Sequence, residues 1–142
     1  MKRTEVLKPG EIIPMTFDYV FTNILNNENN IDILENFLAI YFERDVKDIK
    51  GHITLKNRQI PTDNKKERDK QVDIVLDLDD KKINIELNNN SSMDILKRNI
   101  VYASKVHGSQ LKYGDNDYSK IGDTIQINFN NFRCNKDEIK EE

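Results

Sequence analysis

One cysteine, Cys134, lies near a polar end of the chain. That excludes an intramolecular disulfide and a cysteine-based metal site within one chain, and it fits a reducing compartment. Tryptophan is absent and glycine is sparse, and Gly108 falls in a helical stretch with no glycine-rich phosphate loop around it. The two histidines, His52 and His107, stand outside any zinc-ligand spacing and read as surface or packing residues. No apolar run approaches the roughly 18 residues that span a bilayer. The start MKRTEVLKPG has no apolar signal core. A soluble, cytoplasmic protein with no membrane partner is the expectation. A net charge of -3 gives no general attraction to nucleic acid, yet it permits a basic patch on one face.

What is present suffices for one domain. The 142 residues can bury a sizeable core, and the 37% of hydrophobic residues fall in compact runs. Helical spacing places Phe17, Val20, Phe21, Ile24 and Leu25 on one stripe over 15–27, with Thr16 as the expected N-cap. A second helix fits 31–42. A strand or ragged pair is expected over 51–60, then a polar loop over 61–70 that carries the densest basic cluster, Lys65, Lys66 and Lys70. Residues 71–88 read as a hairpin. The stretch 91–114 reads as a long helix capped by Ser91 or Ser92 and ended by Gly114. A last strand fits 124–129. The expected organisation is an N-terminal arm over 1–14, a single domain over 15–132 and a charged flexible tail over 133–142. Helices and strands in the order α, α, β, β, β, α, β call for an α/β protein with a mixed sheet.

The hairpin VDIVLDLDDKKINIELN raises the functional question. By strict alternation Val72, Ile74, Leu76 and Leu78 share one face, with Ile83, Ile85 and Leu87 on the same face of the partner. Asp73 and Glu86 then lie together on the other. With a two-residue turn at Asp79-Asp80 they pair directly, and with a turn two residues longer they become diagonal neighbours on the same face. Either way their Cβ atoms are about 5 to 8 Å apart. Two such carboxylates repel unless a cation lies between them or one is protonated, and a hard divalent ion suits the pair. The opposing reading is an ordinary one-sided sheet whose polar face, Asp73 and Glu86 included, meets water with Lys65, Lys66 or Lys70 nearby. Asp77, opposite Lys82, illustrates an ordinary surface ion pair.

The segment KERDKQVDIVLDLDDKKINIELN resembles the core of the PD-(D/E)XK nuclease superfamily, in particular the recombination-promoting nuclease or PD-(D/E)XK family transposase group of bacteria and their mobile elements. The resemblance runs through FDYVFTNIL, VDI, NIELN, RNIVY, QLKYGDNDY and IQINF, in order, over about 16–132. It implies a restriction-endonuclease-like core, α-β-β-β-α-β, with a mixed central sheet flanked by helices. It also implies metal-dependent hydrolysis of DNA phosphodiesters. Carried over by position, Asp73 and Glu86 would bind Mg²⁺, with Mn²⁺ as a substitute, helped by the backbone carbonyl of Leu87. Asp18 would reach the metal through water.

Two departures bear on activity. The superfamily's lysine has no match two residues after Glu86: the group resembled has glutamine there, and this chain has Asn88, which can orient water but carries no charge. Thr22 stands where the group usually has lysine. Lys97 or Arg98 is the candidate replacement charge. Lys65, Lys66, Lys70, Lys97, Arg98 and Tyr102 are the candidate DNA contacts, while for Tyr102, Tyr113 and Tyr118 alike a core or groove-edge role fits the spacing better than base stacking. A metal-dependent DNA endonuclease, acting as a possible homodimer, is the leading expectation. A catalytically weak relative that binds DNA or a protein partner is the alternative, and an inert remnant the third.

Overall fold

A computed structural model describes residues 9–60, 70–91, 94–112 and 114–132. Two helices, α1 (Asp18–Leu25) and α2 (Ile31–Tyr41), precede a strand β1 (Ile53–Leu55). A two-stranded ribbon, β2 (Gln59–Ile60) with β3 (Lys70–Gln71), leads into the hairpin β4 (Ile74–Leu78) and β5 (Lys81–Asn88). Helix α3 (Ile95–Gly108) then crosses to β6 (Thr124–Asn130). The main sheet has the order β1-β4-β5-β6, with β1, β4 and β5 antiparallel and β6 parallel to β5. This is the mixed sheet and element order of a restriction-endonuclease-like core. None of the helices among the described residues is long and apolar enough to cross a membrane.

The two sheet faces differ in chemistry. On one, Phe21 and Leu25 of α1 and Leu34 and Leu38 of α2 meet Ile74, Leu76, Leu78, Ile83, Ile85 and Ile127. Several of these have no exposed surface, and each fully buried Leu or Ile contributes about 1.5–3 kcal/mol. Phe129 closes this layer against Phe21 and Phe37, at centroid distances of 5.7 and 5.2 Å. The other face carries a smaller cluster, Val72, Val75 and Val106 with Tyr102 against it, which joins α3 to the sheet. Parallel strands covered on both faces are ordinarily apolar throughout. Here β5 and β6 instead set Asn84 beside Gln126, Glu86 beside Asn128 and Asn88 beside Asn130.

The hairpin has the two-residue turn at Asp79-Asp80, with Leu78 opposite Lys81 and Asp77 opposite Lys82. Asp79 takes a positive φ of 54°, which Asp tolerates better than most residues, and its carboxylate meets Arg44 and His52. Asp77 ion-pairs with Lys82 at 2.7 Å and Lys56 at 3.1 Å, the surface ion pair expected from the register.

The alternation fails at one position. Val72 joins Val75 and Val106 on the α3 side, where strict alternation puts it on the face of Ile74. A bulge is the cause. Leu55 pairs with Leu76 and the Lys56 N–H reaches the Val75 carbonyl, whereas Arg58 meets Val72 and Gln59 pairs with Gln71. Between these pairs Asn57 alone faces two residues, Asp73 and Ile74. Such a two-against-one step bends a strand and re-aims its side chains.

Helix ends also differ from expectation. Phe17, not Thr16, is the N-cap of α1; its side chain has no oxygen to accept the first-turn N–H groups, and its own N–H closes a turn onto the Pro14 carbonyl at 3.1 Å. Helix α3 starts after Asp94, again without a side-chain cap. Ser91 does not cap it, and Ser92 lies outside the described residues, as do Tyr113, Cys134 and the tail. The helix ends at Gly108, well before Gly114. Beyond that point Gln110 is drawn aside: its side chain accepts the Gly122 N–H at 2.9 Å and donates to the Gly122 carbonyl at 3.1 Å. A side-chain amide thereby imitates a neighbouring strand and fixes the entry into β6.

Candidate active site

Asp73 sits at the bulge and Glu86 in mid-strand on β5, and the two are clasped by reciprocal bonds. The Leu87 N–H donates to Asp73 Oδ2 at 2.8 Å, and the Asp73 N–H donates to Glu86 Oε1 at 3.3 Å. Glu86 Oε1 also accepts from Asn84 Nδ2 at 3.2 Å. Only 4% of Glu86 is exposed, so the solvent-facing reading of this carboxylate does not hold: α3 covers the face that a one-sided sheet would leave open. Burial, and after it the charge of Asp73, pushes the Glu86 carboxyl up to about 7. Asp73 is also raised, by burial first and by the charge of Asp18, against the opposing pull of the Leu87 N–H, Arg58 and Arg98.

Asp18, in the first turn of α1, accepts from Asn89 Nδ2 at 2.7 Å. Its effect on Asp73 places it within electrostatic reach of the pair. Thr22 turns its hydroxyl back to the Asp18 carbonyl at 2.6 Å, so this neutral residue serves its own helix. Asn88, 1% exposed, uses both ends of its amide: Nδ2 donates to Asn130 Oδ1 at 2.9 Å, and Oδ1 accepts from the Arg98 guanidinium. Arg98 lies 5.9 Å over the Tyr102 ring and lowers the pKa of both Asp73 and Glu86. Thus Arg98 is brought within electrostatic reach of the carboxylates, with Asn88 and Tyr102 beside its guanidinium. Lys97 is not: it is highly exposed and pairs with Asp94 at 3.4 Å, one turn back on α3. Tyr118 is 69% exposed in a 3₁₀ turn before β6 and packs in no core cluster. Lys65, Lys66 and the side chain of Lys70 lie outside the described residues.

The donor chemistry fits a hard divalent cation. Odd-numbered residues of β5 turn their backbone groups toward β4, so the Leu87 carbonyl faces the same gap as the Asp73 carboxylate. Each carboxylate retains free lone pairs after the bonds described, since an ionised carboxylate offers about four acceptor positions. Among the described residues, however, no group of three or more His, Cys, Asp or Glu side chains is gathered closely enough to hold a metal. Any cation here would rest on two carboxylates, a backbone carbonyl and water, which is how Mg²⁺ is commonly held.

Several members of the site were not evident from sequence. Arg58 is a lone arginine between short strands and gave no signal. The amide array of Asn84, Gln126 and Asn130 did leave one, since INIELN and IQINFN alternate in step, but the parallel register and the cover by α3 give that alternation its meaning. Asn84 Nδ2 also donates to Gln126 Oε1 at 2.8 Å, and Gln126 Nε2 to Asn128 Oδ1 at 3.0 Å. Glu86 is therefore held within a chain of amides.

Comparison with curated proteins and with solved structures returns no match. The family model of the PD-(D/E)XK nuclease family transposases matches residues 15–142, nearly the whole chain and all of the elements described above. With the fold and the carboxylate pair already placed, this match shows that the chain belongs to the PD-(D/E)XK nuclease family transposases.

Proposed function

We propose that this protein is a metal-dependent DNA endonuclease of the bacterial mobile-element type, with Mg²⁺ or Mn²⁺ held by Asp73, Glu86 and the Leu87 carbonyl. Family membership supports a nuclease-type function acting on DNA. The observation that carries the finer reading is the clasped pair: a buried Glu86 and a bulge-borne Asp73 whose charge raises the pKa of its neighbour. Above the pKa of Glu86, folding a chain around two adjacent carboxylates costs free energy unless something positive completes them. When bound, a divalent ion supplies Lewis-acid stabilisation of phosphoryl charge and lowers the pKa of water.

The protein's own residues do the rest. The amides around Glu86 fix its rotamer, and the Leu87 N–H holds Asp73 toward the gap. Asn88 presents no charge, but it orients the Arg98 guanidinium beside the pair, and a guanidinium matches phosphate geometry. Arg98 thus takes over the cationic role that lysine has elsewhere in the superfamily. Asp18 would join through water. A homodimer would supply the second site needed to cut both strands.

The test is nicking of supercoiled plasmid by wild type, Asp73→Ala and Glu86→Ala, with Mg²⁺, Mn²⁺ or chelator. Metal-dependent nicking by the wild type that both variants lose by at least about 100-fold is expected. A folded wild type that binds DNA but never nicks it would favour the second reading, a binding module on a nuclease scaffold. The specific observation behind that reading is Asn88, whose amide is bonded at both ends and uncharged.

Arg98→Ala separates phosphate contact from scaffold. Its DNA affinity should weaken at low salt, with the slope of log affinity against log salt reduced by about one. An unchanged slope, measured by fluorescence anisotropy over a salt series, would remove Arg98 from the interface.

A further inference from the structure

Continuing the β4–β5 register past Ile74 would set Val72 opposite Leu87, and the two would exchange backbone bonds. Side chains have replaced that exchange. The Leu87 N–H goes to the Asp73 carboxylate at 2.8 Å. The carbonyl of Val72, a residue with no exposed surface, accepts instead from Arg58 Nε at 3.0 Å. The Val72 N–H donates to the Arg58 carbonyl at 3.1 Å. Arg58 therefore takes both backbone groups of Val72 and leaves the Leu87 N–H for Asp73.

We infer that Arg58 is a positioning residue for Asp73, and that its guanidinium, by satisfying the Val72 carbonyl, keeps the bulge open and the Asp73 carboxylate against Leu87. A buried carbonyl demands a donor. If Arg58 supplies none, the donor the register offers is the Leu87 N–H, and its capture by Val72 would close the bulge and expel Asp73. The requirement is for an Nε–H on a planar fork and not for charge alone, so lysine is a poor replacement. The functional consequence rests on the proposed metal site; the structural one does not.

Wild type, Arg58→Lys, Arg58→Ala and Asp73→Ala are compared by two readouts, Mn²⁺ titration followed by electron paramagnetic resonance and the Leu87 amide signal in ¹⁵N-resolved NMR. Both Arg58 variants should bind Mn²⁺ at least about tenfold more weakly, in the range for groups that orient metal ligands. Their Leu87 amide should move toward its position in Asp73→Ala. Wild-type affinity together with an unmoved amide in Arg58→Lys would overturn the inference, because charge alone would then suffice. Should Arg58→Ala fail to fold, Arg58→Lys, which keeps most of the stem, carries the comparison. A wild type that ignores Mn²⁺ would defeat the metal-site reading only. The amide would still decide the role of Arg58, supporting it if displaced in Arg58→Lys and refuting it if not.

Discussion

Acidifying the metal-free protein from above pH 7 to about 4.5 is expected to stabilise it by roughly 3 kcal/mol, and Glu86→Gln is expected to remove most of that gain. The folded-state pKa of Glu86 is about 7, against an ordinary value of 4.5, and each unit of difference corresponds to about 1.4 kcal/mol. For a group raised on folding, the stabilisation is fully present below the unfolded pKa and is lost as pH rises through the folded one. The window is therefore about 4.5 to 7, with stability rising as pH falls. Asp73, also raised, acts in the same sense. Asp77 acts in the opposite sense but elsewhere: Lys82 and Lys56 outweigh its partial burial and hold its pKa low, so its contribution is lost only in stronger acid, below about 4. Urea melts across the pH range read this directly.

Glutamine at 86 keeps an acceptor for the Asp73 N–H and Asn84 Nδ2 while removing the charge. The variant should match or exceed wild-type stability near pH 8 without metal. Saturating Mg²⁺ or Mn²⁺ should raise the wild-type melting temperature there and leave Glu86→Gln unmoved, because an ion that binds only the folded state stabilises by mass action. A flat wild-type profile between about pH 5 and 8, with no response to metal, would mean that Glu86 is no more strained in the fold than in the open chain. The catalytic reading would then lose its main support.

Much of this site was legible before the fold was known, and the reason is local. A two-residue turn fixes hairpin register, and register fixes which side chains meet, so Asp77 opposite Lys82 followed from counting alone. The same counting put Asp73 and Glu86 together on one face; resemblance added what counting cannot, the metal-binding role expected of that pair. What stayed hidden depends on non-local partners. Period two assigns Val72 to the wrong face because the bulge is set by pairing with Arg58, fourteen residues upstream. Solvent and α3 cover are indistinguishable to an alternating strand, so Glu86 read equally well as exposed. The end of α3 depended on Gln110 finding Gly122, a contact between segments that helix propensity does not register.

That last contact carries the largest expected loss of stability. Gly122→Ala should destabilise the protein by about 3 kcal/mol or more, at the far end of the sheet from the carboxylates. A Cβ at residue 122 would stand 2.0 Å from the Asp80 carbonyl oxygen, a backbone atom of the β4–β5 turn with no side-chain freedom to yield. Relief requires moving either the turn, where Asp79 already holds a positive φ, or the segment entering β6. Moving the segment breaks the two bonds between Gln110 and Gly122 and a third from Gln110 Nε2 to Thr124 Oγ1 at 3.1 Å. Overpacking against rigid backbone costs more than a lost side-chain bond, so Gly122→Ala should exceed Gln110→Ala, which removes the bonds and leaves the space. Equilibrium urea unfolding ranks the two, with the midpoint falling and the slope unchanged if both remain two-state. If alanine at 122 is as stable as wild type, the turn and the β6 entry are not in contact as described. The parallel placement of β6 beside Glu86 would then need another anchor.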